Sequence, residues 1–109
     1  MTDEPGRAAP RRMHSPLLDT LGQSIQNGKE LASYLWQVPG DADAHRRIEA
    51  LVATIRKESA AQGRREMGRV CDEIERAAGA SPTPQQVELL QDGFERLYKL
   101  WLAAKSGIM

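Results

Sequence analysis

The side chains best suited to covalent or metal chemistry are few and scattered. There is one cysteine, Cys71, and there are two histidines, His14 and His45. A lone cysteine can close no intrachain disulfide and build no cysteine-based metal cage. Neither histidine has a cysteine or second histidine at metal-ligand spacing, so no metal site and no cofactor are expected. Cys71 falls in an apolar stripe and reads as a buried structural thiol. Charge is the denser signal. From His45 to Arg65 stand the basic residues Arg46, Arg47, Arg56, Lys57, Arg64 and Arg65, against the acids Glu49 and Glu58. Solvated helix faces are often built this way, but such a cluster also suits the docking of an acidic protein surface.

These side chains sit in a chain of 109 residues, long enough for one domain with a modest core. Fifteen basic residues balance fifteen acidic ones, so no global charge draws the chain to nucleic acid or anionic lipid. Aromatic residues are too scarce for a base-stacking platform. No apolar run approaches a membrane span, and the N-terminus lacks the apolar centre of a signal peptide. A cytoplasmic protein without nucleic-acid or membrane partners is expected.

Residues 1–15 combine prolines, glycine and charge without periodicity, and are expected to form a disordered tail. Ser15-Pro16 reads as a helix start. Leu18, Leu21, Ile25, Gly28, Ala32 and Leu35 then recur at helical spacing, and the stripe stays in phase across the turn-prone Asn27-Gly28 pair. The VPGDAD stretch supplies a turn, with Asp41 or Asp43 as the next cap. Ile48, Leu51, Val52, Ile55 and Ser59 form the second stripe, which Gly63 ends. Met67, Val70, Cys71, Ile74 and Ala77 or Ala78 form the third, closed by Gly79. Thr83, Pro84 and Gln86 then read as cap, first helical residue and capping box. Val87, Leu90, Phe94, Leu97 and Trp101 make the fourth stripe. Short connections between amphipathic helices imply an all-α, antiparallel up-down four-helix bundle over residues 16–105. Leu21, Ile25, Leu51, Val52, Ile55, Val70, Ile74, Leu90, Phe94 and Leu97 are expected to share its core, with Trp36 and Trp101 capping one end.

The stretch LVATIRKESAAQG, residues 51–63, resembles the second helix of the histidine phosphotransfer domains of bacterial two-component signalling. The similarity is strongest to the N-terminal domain of chemotaxis-type histidine kinases, whose pattern is roughly A-H-T-I-K-G-S-A-x-x-x-G. Thr54 and Ile55 match its T-I pair, Arg56 stands at its lysine and Gly63 at its last glycine. The PGDAD turn matches the family's Pro-x-Asp connection, and Met67, Cys71, Ile74 and Glu75 follow in register. TPQQVELLQDGFERLYKL is similar to the closing helix. The likeness covers about residues 17–104.

Two departures fall where the chemistry would be. Ala53 occupies the phosphoacceptor position, and Lys57 replaces the small glycine that lets a partner's active site approach. A methyl group cannot act as the nucleophile. The resemblance therefore implies a degenerate, non-enzymatic domain that binds a receiver domain or histidine kinase without carrying phosphate. Its binding strip would comprise Glu49, Ala53, Arg56, Lys57, Ala60 and Arg64, linked by steps of three, four or seven on one helix face. Two alternatives stay open: a genuine phosphorelay carrier using His45, and a self-associating structural bundle, which admits a homodimer.

Overall fold

Residues 16–107 are described by a computed structural model, and the tail expected over residues 1–15, with His14 and the Ser15 cap, lies outside them. Four helices form: α1 (Pro16–Tyr34), α2 (Ala42–Ala61), α3 (Arg65–Ala78) and α4 (Pro84–Lys105). Helices α2 and α4 each begin at a side-chain cap. At α2 the Asp41 Oδ1 accepts the Ala44 N–H at 3.1 Å. Its other oxygen accepts the Tyr34 hydroxyl at 2.6 Å, and that bond, with the N–H bonds, holds the Asp41 carboxyl below its usual range. Gly63 then takes φ +70° and turns the chain into α3.

At α4 the Thr83 hydroxyl accepts the Gln86 N–H at 3.1 Å, with Pro84 at the first helical position. The expected capping box forms only by half. Gln86, buried, turns its amide away from Thr83 and donates instead to the carbonyls of Ala77 and Ala80 at 3.1 and 3.2 Å. One residue thus ties the carbonyl end of α3 to the start of α4.

The apolar stripes meet along the bundle axis. Leu21, Ile25, Leu35, Ile48, Val52, Ile55, Met67, Ile74, Leu90, Phe94 and Leu97 are all fully buried. Helix α1 packs on α2 and α4, and α3 packs on the same two, so the last helix closes back on the first. Cross-helix ion pairs tie three of these seams: Lys29 to Glu95, Arg56 to Asp72 and Glu75, and Arg96 to Glu73.

Helix α1 continues unbroken through Asn27-Gly28, because that glycine serves packing rather than a turn. The Phe94 ring occupies the space a Gly28 side chain would need, and the Trp101 indole lies equally close over Gly22. Trp101 also donates its Nε1–H to the Leu18 carbonyl at 2.7 Å, which fixes the end of α4 against the start of α1.

Two expectations are corrected. The tryptophans cap opposite ends: Trp36 Nε1 donates to Gln91 Oε1 near the start of α4, whereas Trp101 reaches the start of α1. Trp36 follows the C-terminus of α1 and Trp101 lies near that of α4, and antiparallel α1 and α4 place those termini at opposite ends. Leu51 lies outside the core and is only half-buried. The buried stripe of α2 runs through Ala44, Ile48, Val52, Ile55 and Ser59, and a residue just before Val52 is turned about 100° from it.

Two alanine substitutions should therefore move stability in opposite directions. Gly28→Ala must displace a buried ring and should cost about 1–3 kcal/mol despite the better helix propensity. In Gly68→Ala the new methyl meets nothing within 4 Å, so it should gain up to about 1 kcal/mol. Thermal melts of the two variants check both signs.

Candidate functional site

Helix α2 presents a different neighbour on each side of its buried stripe, and the expected strip falls on the α3 side. Ala53, Glu49, Lys57 and Ala60 are exposed, and Arg56 and Arg64 are partly covered. The structure places Arg56, Ala60 and Arg64 in one groove on the α2–α3 seam and Glu49 in a second hollow along it, whereas Ala53 and Lys57 are exposed on α2 and line neither. The floor of the seam is completed by α3 residues that reading α2 alone misses. A groove of about 560 Å³ is lined by Arg56, Ala60, Gly63, Arg64, Arg65, Gly68, Arg69 and Asp72. Further along the seam, Glu49, Val52, Glu75 and Ala78 line a smaller hollow of about 250 Å³. The signal for the α3 half was present: positions 65, 68, 69, 72 and 75 follow one another at helical steps beside the buried Met67–Val70–Cys71–Ile74 row.

The electrostatics differ from an open basic patch. Arg56 is locked across the seam: its guanidinium donates to both Glu75 oxygens, at 2.6 and 3.2 Å, and pairs with Asp72. These bonds hold the Arg56 charge firmly, raising its pKa, with the Glu75 bond foremost. Arg46 and Arg47 both pair with Asp43, and Arg69 pairs with Glu66. Arg64 Nε donates to the neutral Gln62 Oε1 at 2.9 Å, so its charge is uncompensated there. Among the described residues Lys57 and Arg65 have no ion-pair partner. Counting charges from His45 to Arg65 overlooked Asp72 and Glu75, which α3 brings alongside. The surface is therefore graded, cationic toward the α2–α3 turn and acidic toward Glu49 and Glu75, with Arg56 between.

Among the described residues no histidine or cysteine side chain faces this surface. Ala53 offers a methyl group at its middle. His45 stands at the far end of α2 beside the α1–α2 connection, where its Nε2 lies 2.7 Å from the Pro39 carbonyl. A carbonyl only accepts, so Nε2 carries the proton and is engaged. Cys71 is fully buried, and burial pushes its thiol up to about 11 against the pull of Arg56. Ser59 is buried too, its hydroxyl donating to the Ile55 carbonyl at 2.6 Å. Among the described residues no group of three or more His, Cys, Asp or Glu side chains could hold a metal ion, and no helix is long and apolar enough to cross a membrane.

Comparison with protein-family models, curated proteins and solved structures finds no match to this chain.

The graded surface separates two neighbouring cations that the sequence makes look equivalent. Arg56→Glu would set a third carboxylate against Asp72 and Glu75, and should cost roughly 1 kcal/mol, or about 4–8 °C of melting temperature. Lys57→Glu should leave the melt within about 0.5 kcal/mol of the parent. Parallel thermal unfolding of the two variants measures the difference.

Proposed function

We propose that this chain is a pseudo-phosphotransfer protein: a non-catalytic bundle that docks a receiver domain or a chemotaxis-type histidine kinase on its α2–α3 surface. The observation that carries the reading is Ala53. Its methyl group is exposed at the middle of α2, at the position where the resembled domains hold their imidazole, with Lys57 one turn further on. Phosphoryl transfer needs a lone pair at that point, and none is present. What remains is recognition. Small side chains at Ala53, Ala60, Gly63 and Gly68 keep the surface shallow, and Lys57, Arg64 and Arg65 give one end a net positive field. Receiver domains present an acidic pocket, and complementary charge of this kind steers encounter and orients the partner.

A carrier role for His45 fits the geometry less well. That imidazole is tied to the Pro39 carbonyl, away from the α2–α3 surface, and phosphorylation at Nε2 would first have to break that bond.

The decisive binding variant avoids Arg56, whose reversal is expected to lower stability as well. Lys57→Glu with Arg64→Glu should weaken binding to a receiver domain by about tenfold or more, measured by titration calorimetry, and the loss should shrink as salt rises. Unchanged affinity in the folded double variant moves the interface off this surface. Incubation with a phosphorylated receiver should label neither the native chain nor His45→Ala. Ala53→His should accept phosphoryl poorly, and Ala53→His with Lys57→Gly better, because the lysine no longer crowds the approach. Labelling of the native chain that His45→Ala abolishes would establish the carrier instead.

A further inference from the structure

The seam between α1 and α2, on the side of α2 away from α3, holds a second groove of about 470 Å³. Asn27, Glu30 and Leu31 line it from α1, and Arg47, Ala50 and Leu51 from α2. Its floor is apolar: Leu31 and Leu51 are each only half-buried, and Ala50 is exposed. The apolar pattern of α2 includes Leu51, yet the monomer leaves it partly in water.

The two walls carry opposite charge without using it on each other. Among the described residues Glu30 has no ion-pair partner. Arg47 Nε lies 2.9 Å from Asp43 on its own helix. On the α1 wall the neutral Gln23 and Asn27 are hydrogen-bonded to one another at 3.0 Å.

We propose that this groove is the docking face for a second copy of the chain, in a two-fold symmetric dimer. A two-fold axis running along the groove, parallel to the helices, lays each α1 over the other copy's α2. Rotation about such an axis leaves every residue at its own height along the bundle. Glu30 and Arg47 line the same groove from opposite sides, so each Glu30 is brought over the Arg47 of the other copy, and the contact occurs twice. The facing helices run antiparallel, which opposes their dipoles favourably. Leu31 and Leu51 of both copies are covered by the facing helices and lose the water they meet in the monomer. A different protein would need the inverse arrangement of charges to fit; a second copy supplies it by symmetry. The α2–α3 surface stays uncovered, so the dimer would present two docking surfaces. This inference does not depend on what those surfaces bind.

Sedimentation equilibrium of the full chain tests it. The expected mass is twice the 12.1 kDa of one chain. Glu30→Arg and Arg47→Glu should each weaken association by roughly a hundredfold, because two like-charge contacts replace two attractive ones. Combining them restores complementarity and should return the dimer. Ala50→Arg changes an exposed position and fills the groove, so it should give a folded monomer whose helicity by circular dichroism matches the parent. A native chain that sediments as a monomer overturns the proposal. So does a dimer that survives the single reversals and Ala50→Arg, or a folded double reversal that stays monomeric.

Discussion

The contact on which the bundle most depends is the closure of α4 onto α1. These helices are the most distant in sequence, and no short connection holds them together. Two aromatic rings close the seam by lying where α1 has no side chain: Phe94 over Gly28 and Trp101 over Gly22. A ring set against bare backbone brings the helices nearer than side chains on both would allow, and it buries a large apolar area at a single position. The Trp101 bond to the Leu18 carbonyl then fixes the sliding position of one helix against the other. The remaining seams join sequence neighbours, so their turns already limit how they can pack.

This closure explains what could be read in advance. Helix number, helix ends and most of the core were legible, because capping signals and the apolar period are local properties that packing here obeys. Asn27-Gly28 shows the boundary of that legibility. As a dipeptide it signals a turn, and only the stripe continuing in phase indicated otherwise; its reason, a ring from α4, is not local at all. Leu51 failed for the opposite reason. Its hydrophobicity fits the pattern, but its angular position on α2 faces the α1 seam rather than the axis. The tryptophans were assigned to one end because both lie near helix C-termini, although antiparallel chain direction places those termini apart.

Charge was less legible than hydrophobicity. Ion pairing depends on which neighbour a helix receives, and Arg56 shows the consequence. In sequence it is one of six cations; in the fold it is the tie between α2 and α3, held by Asp72 and Glu75. Exposed pairs of this kind contribute modestly to stability. Their larger effect here is to divide the α2–α3 surface into a cationic and an acidic end. A docking surface with two ends can orient a partner, whereas a uniform patch can only attract one.

The position of Ala53 ties stability to the proposed function. It is exposed and outside the buried stripe, and its methyl group makes no hydrogen bond. A side chain at that point contributes nothing to the core, so an imidazole could be lost there without weakening the fold. The surrounding surface is under a different constraint, since Arg56 and its two carboxylates hold α2 to α3. On the proposed reading, loss of the acceptor would leave the shape and charge of the face intact. A protein altered in this way would keep recognition and give up transfer, and it could occupy a partner that an active phosphotransfer domain would otherwise engage.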